Sequence, residues 1–280
     1  MISKGSGLLS MLVVASLLVA CGDDDELNLT GPGYAPGDGR MYPVHEVVFT
    51  ALDGIPVSAV WGTPAATGRV PVVILLHDLD GNKYDWLTST TLFVDLLESG
   101  YAVIALDHRG HGATPLPGGR AFPVLQDLEV NHRDVLAALD WLSRQTQLDA
   151  SRVALVGSGL GGNSAYVGKG AFPGRVSTAI SMSPGLWQLD GLRPVVVGAG
   201  IDPFTPESIL FIVAENDIIR LDDDAGTVLS YLDFSRSLKA TTAAPARVHV
   251  VPGSSAHGLE LIERHPAVLR EILLWLEEEL

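Results

Sequence analysis

From about residue 44 onward the apolar positions form short runs separated by turn signals and helical stripes. Segments 44–50 and 55–61 are apolar or alternating and are divided by Leu52-Asp53-Gly54, which predicts an antiparallel hairpin. Segment 70–76 is a continuous run rich in β-branched residues, as a parallel strand buried on both faces requires. In 86–99, Phe93, Leu96 and Leu97 fall at helical spacing and Gly100 ends the pattern. A second buried strand is expected at 101–106. A helix is expected over 130–146, with Val135, Ala138, Leu139 and Leu142 on one stripe. Further strands are expected at 153–156, 176–182, 209–213 and 247–251. Helices are expected from about residue 160, near 227–238, and from Pro266, a residue suited to a first helical turn. Strand and helix alternate throughout, which predicts one α/β domain with a mainly parallel sheet and helices on both faces. The Gly- and Pro-rich stretch 185–207 reads as a short lid or insertion, and no separate cap domain is expected.

The first 40 residues follow a different pattern. Residues 8–20 are apolar apart from Ser10 and Ser16 and follow a short segment with one positive charge at Lys4. The run is too short to span a bilayer and fits a secretory leader. Its end, Leu18-Val19-Ala20-Cys21-Gly22, resembles the lipobox of bacterial lipoprotein precursors. The resemblance implies lipidation at Cys21, a new N-terminus there, and an acyl anchor in a membrane of the bacterial cell envelope. Gly22 followed by Asp23 leaves the choice of inner or outer membrane open. The expected organisation is a signal peptide at 1–20, an acidic, Gly/Pro-rich tether at 21–40, and one folded domain at 41–280.

Composition narrows the function. With 47% apolar and 18% charged residues the chain is not intrinsically disordered as a whole. A net charge of −15 repels phosphate backbones, so no nucleic-acid partner is expected. Cys21 is the single cysteine, which removes internal disulfides and cysteine-based zinc sites. His108 and His111 read as loop-stabilising residues, Asp222-Asp223-Asp224 as a solvated loop, and no metal site or cofactor is expected.

In parallel sheets ligands sit beyond the carboxyl ends of the strands. The residues there are His77-Asp78-Leu79-Asp80-Gly81, Asp107-His108-Arg109-Gly110-His111-Gly112, Gly157-Ser158-Gly159-Leu160-Gly161, Glu215-Asn216-Asp217 and Ser255-Ala256-His257-Gly258. In this order they resemble the α/β-hydrolase family, its dienelactone hydrolase-like and esterase-like members most of all, over roughly residues 44–280. The resemblance implies a strained nucleophile elbow, Asp217 as the orienting acid and His257 as general base. It also implies an oxyanion hole from the backbone N–H groups of Leu160 and Asp78, and a small acyl or ester ligand.

The chain departs from the family at the decisive position. The Gly-x-Ser-x-Gly elbow laid on this sequence puts Gly159 in the nucleophile slot. Ser158 lies one residue early, and strand alternation points it away from where an elbow serine aims. Glycine suits the strained elbow backbone but carries no nucleophile. Two readings follow: an esterase-like hydrolase impaired at its nucleophile, with Ser158 as the fallback, or a non-catalytic protein that binds a ligand or partner on the same fold. A minor alternative is dinucleotide binding through Gly157, Gly159 and Gly162, but the acid such a motif wants about 20 residues on is missing from 176–185. Ser183, followed by Pro184 with no N–H to donate, reads as a loop residue.

Overall fold

The computed structural model describes residues 33–34, 42–123, 127, 129–185, 204–220 and 226–280. The signal peptide, Cys21, most of the tether, most of the 185–207 stretch and Asp222-Asp223-Asp224 lie outside the described residues. The described residues belong to one unit, Gly31–Leu280.

Two short strands, Gly33–Tyr34 (β1) and Tyr42–Pro43 (β2), pair with each other. The expected hairpin follows as His45–Thr50 (β3) and Pro56–Gly62 (β4), antiparallel with His45 opposite Trp61 and Thr50 opposite Pro56. The strands Val70–Leu76 (β5) and Ala102–Leu106 (β6) are connected through two short helices, Asp85–Thr88 (α1) and Leu92–Glu98 (α2), where one helix was expected. Next come the helix His132–Leu142 (α3), the long strand Leu148–Ser158 (β7) and the helix Leu160–Ala171 (α4). Strands Thr178–Met182 (β8) and Glu207–Ala214 (β9) complete the centre of the sheet. A small hairpin, Ile218–Arg220 (β10) with Val228–Ser230 (β11), precedes the helix Tyr231–Ala240 (α5). Strand Ala243–Val251 (β12) and helices Glu260–Arg264 (α6) and Pro266–Glu279 (α7) finish the chain.

The main sheet has eight strands in the order β12-β9-β8-β7-β5-β6-β4-β3. It is parallel from β12 to β6, and β4 and β3 add an antiparallel edge. The central strands are buried on both faces, which is why they read as unbroken apolar runs. One face packs Val135, Leu139 and Leu142 of α3 with Ala165 and Tyr166 of α4. The other packs Phe93 and Leu96 of α2 with Ile272, Trp275 and Leu276 of α7. Trp86 is fully buried in this second layer, a packing residue rather than a cleft residue.

Helix α4 crosses the sheet at very short range. A Cβ on Gly157 would collide with the backbone of Gly161, and one on Gly161 would collide with the carbonyl of Leu76. A Cβ on Gly162 would lie 2.8 Å from the carbonyl of Met182. Close backbone packing accounts for these glycines.

Candidate functional site

The five segments follow β5, β6, β7, β9 and β12 and lie at the carboxyl end of the parallel strands. Gly159 links β7 to α4 with φ 50° and ψ −110°, a conformation costly for a residue with a side chain. This is the sharp strand-to-helix elbow expected at that position, and glycine is what stands on it.

His257 lies in the loop after β12 and is sandwiched between two carboxylates. Its Nδ1–H donates to Asp217 at 3.0 and 3.1 Å. Its Nε2 lies 3.2 Å from Asp78 Oδ2. Tyr231 packs its ring against the imidazole at 4.4 Å between centroids. Burial by itself depresses the imidazole, but the Asp217 and Asp78 carboxylates reverse that and raise His257 to about 10. At neutral pH the ring is therefore an imidazolium that donates from both nitrogens.

Asp217 and His257 are thus brought together as the sequence implies. Ser183 joins them, which sequence reasoning missed. It sits at φ 45°, donates its hydroxyl to Asp217 Oδ2 at 2.7 Å, and accepts from the Gly258 N–H at 3.1 Å. The signal available in the sequence was only its place at a strand end. Ser254 shapes the histidine loop, accepting from the Ala256 N–H at 3.1 Å while its carbonyl accepts from the Asn216 N–H at 2.8 Å.

The resemblance places the second oxyanion-hole donor at the Asp78 backbone, and the structure also puts the Asp78 side chain at the elbow. The Leu160 N–H is in place, but it donates to the side chain of Asp78, at 3.0 Å from Oδ1. The Leu79 N–H donates to the same oxygen at 2.7 Å. Asp78 thus contributes a carboxylate oxygen that accepts from both backbone N–H groups. A Cβ built on Gly159 would fall directly on the Asp78 carboxyl group. Asp78 thus fills the volume in which an elbow side chain and an oxyanion would both lie. Burial opposes its ionisation, yet bonds from His257, Leu160 and Leu79 hold its carboxyl below the usual range. The N-terminus of the twelve-residue α4 adds a favourable dipole.

Ser158 is 1% exposed, and its hydroxyl makes no hydrogen bond to His257 or to any other described residue. The fallback nucleophile is not coupled to the base. It lines an open cleft of about 390 Å³ together with Asp78, His257 and Leu259. Asp80, Asp85, Glu260 and Glu263 complete most of the rim.

The Asp107-x-Arg109-Gly110-His111-Gly112 loop is a scaffold. Asp107 accepts from Lys83 N and Nζ at 2.7 and 2.8 Å and from Ala113 N at 2.9 Å. Arg109 bridges buried Asp134 and half-buried Asp53. His77 accepts the His108 N–H at 3.0 Å, and burial pushes His77 down to about 4. His111 bonds the Leu79 and Arg109 carbonyls. Among the described residues no group of three or more His, Cys, Asp or Glu side chains is placed to hold a metal ion.

Fold and site together define a protein of the α/β-hydrolase class. The family model described as alpha/beta hydrolase fold matches residues 71–241, more than half of the chain, and the chain belongs to that family. An uncharacterized Mycobacterium tuberculosis protein is 29% identical over 241 residues, covering 82% of this chain and 79% of its own length. Among solved structures, a dienelactone hydrolase from Anabaena variabilis is similar with a TM-score of 0.63 and 17% identity, covering 85% of this chain and 99% of that one. An esterase from Pyrococcus furiosus is similar with a TM-score of 0.61 and 18% identity, covering 85% and 93%. These two likenesses concern the fold.

Proposed function

We propose that this protein is a lipid-anchored envelope protein that retains the α/β-hydrolase fold as a binding scaffold and has lost serine-hydrolase chemistry. One observation carries the reading: the Asp78 carboxylate sits on the Leu160 and Leu79 N–H groups and against His257 Nε2, over a glycine elbow. Acyl transfer by a serine needs a hydroxyl beside a neutral imidazole and free donors for the developing oxyanion. Here the elbow has no hydroxyl. With His257 near 10, only about one molecule in a thousand carries a neutral imidazole at pH 7. The donors already hold a negative oxygen. A site that loses only its nucleophile keeps roughly 10³–10⁴-fold acceleration from the oxyanion hole and binding. With the hole filled by Asp78, that remainder is lost as well.

The other reading, an impaired hydrolase of a carboxylic ester or related acyl substrate, draws on the retained Asp217–His257 pair and its support from Ser183. One assay separates the two. The purified protein is treated with a fluorophosphonate probe and with 4-nitrophenyl acetate. A binding protein gives no covalent labelling and no hydrolysis above the uncatalysed rate. Labelling at Ser158 or Ser183 that disappears in the corresponding alanine variant would establish the hydrolase.

A further inference from the structure

We infer that Ser183 is the positioning residue of this corner: its buried hydroxyl locks the loop that carries His257 against Asp217 and Asp78. The inference rests on reading the corner as a binding site and names what holds its imidazole in place.

Ser183 joins residues that follow three different strands. It comes directly after β8, Asp217 follows β9, and Gly258 lies in the histidine loop after β12. Its N–H donates to the Ile212 carbonyl of β9 at 2.9 Å, which fixes its backbone to the sheet. Its hydroxyl gives its single proton to Asp217 Oδ2 at 2.7 Å and accepts from the Gly258 N–H at 3.1 Å. The side chain is fully buried, so water does not compete for either bond. The same Asp217 oxygen accepts from His257 Nδ1 at 3.0 Å. One hydroxyl therefore holds both the acid and the residue next to the imidazole.

The base of the histidine loop has its own ties. The Gly253 N–H donates to the Glu215 carboxylate at 2.7 Å, and the Asn216 N–H to the Ser254 carbonyl at 2.8 Å. At the tip, the backbone is joined to the end of β8 through the Gly258 N–H. The fit there is tight. Gly258 has φ 55°, and a Cβ on it would fall on the Ser158 hydroxyl and 3.3 Å from Asp78 Oδ2. A backbone this close to Asp78 sets the 3.2 Å between that carboxylate and His257 Nε2.

The backbone of Ser183 is an independent observation. It holds φ 45°, a left-handed value that is costly for a residue with a side chain and persists where the surroundings over-determine it. Glycine would adopt it freely, and the two bonds of the hydroxyl account for a serine in its place.

The groups facing His257 are the Asp217 and Asp78 carboxylates and the Tyr231 ring. The Ser183 hydroxyl draws a little charge from Asp217, which by itself weakens the hold on the imidazolium. Loss of the lock moves the imidazole away from both carboxylates, and their attraction falls with distance. The second effect acts through two charges and is the larger. Removing the hydroxyl therefore lowers the pH at which the ring gives up its second proton.

The test follows the His257 ring nitrogens by NMR through a pH titration of the whole protein, in Ser183→Ala and Ser183→Gly. Glycine takes the φ of 45° without strain, so the measurement survives if alanine prevents folding. The His257 midpoint is expected to fall by about one pH unit or more from its value of about 10. Exchange of the Gly258 amide hydrogen is expected to speed up about tenfold or more. Thr178→Val removes another buried hydroxyl at the far end of β8, where it bonds the Ser208 carbonyl and Trp275. That control is expected to lower the urea midpoint and leave the His257 titration unchanged. The inference is overturned if Ser183→Gly keeps the wild-type His257 midpoint or the wild-type Gly258 exchange, or if Thr178→Val moves His257 as far. A fluorophosphonate adduct on Ser158 would overturn the non-hydrolytic reading and leave this lock standing. An unchanged His257 titration would do the reverse.

Discussion

Residues 78 and 159 act as a pair. A glycine at the elbow leaves room beside two backbone N–H groups, and an aspartate two residues past β5 fills it with a carboxylate. Restoring a serine alone therefore fails for a steric reason: Gly159→Ser must push its Cβ into the Asp78 carboxyl group at positive φ. The expected outcome is a destabilised variant with no fluorophosphonate labelling, whereas Gly159→Ser combined with Asp78→Gly should label, as read by intact-protein mass. The charge state of His257 follows from the same residue. Its folded value is raised from the ordinary 6.5 to about 10. The stabilisation from the charged ring is therefore full below about pH 6.5 and is lost as pH rises through about 10. Imidazole nitrogen shifts in NMR should show both nitrogens protonated at pH 7, and Asp78→Asn should bring the midpoint down. A wild-type midpoint near 6.5 would remove the basis for an imidazolium.

At the level of elements, the loop after β6 is the firmest structural device in the site region. Arg109 is 1% exposed and its partner Asp134 is fully buried. Truncating Arg109 strands that carboxylate without a counter-charge, and losses of this kind run to about 3–5 kcal/mol. Arg109→Ala should lower the urea midpoint accordingly. Arg109→Lys should recover only part of the loss, because an ammonium cannot span Asp53 and Asp134 as the guanidinium fork does. The central strands were legible as apolar runs because burial on both faces leaves no polar alternation to read. The β10–β11 hairpin was not legible. Its strands are three residues each, with Ile218–Arg220 and Val228 exposed and only Leu229 and Ser230 part-buried, so no periodicity marks them. Ser183 was passed over because its neighbour Pro184 argued against a nucleophile. Its actual task, holding Asp217 from a left-handed backbone, depends on a contact 34 residues away.

For the whole molecule, the expected α/β-hydrolase architecture is present, with a mainly parallel eight-stranded sheet and an antiparallel N-terminal edge. If Cys21 carries the lipid, Cys21→Ser should move the protein from the membrane pellet to the soluble fraction of cells, as read by immunoblot. Retention in the pellet would sink the anchor. The charge of −15 also takes on a local meaning, since part of it collects around the cleft.

Most of the order of elements, the strand-end positions of Asp217 and His257, and a glycine at the strand-to-helix turn, Gly159, were legible in the sequence alone. Each depends on local pattern and on spacing along one chain. The fate of the oxyanion donors, the pairing of Asp78 with His257, the support from Ser183 and the unpartnered hydroxyl of Ser158 were decided only by tertiary structure. They join side chains tens of residues apart at distances of about 3 Å, and hydrogen bonding at that range depends on geometry that no linear pattern encodes.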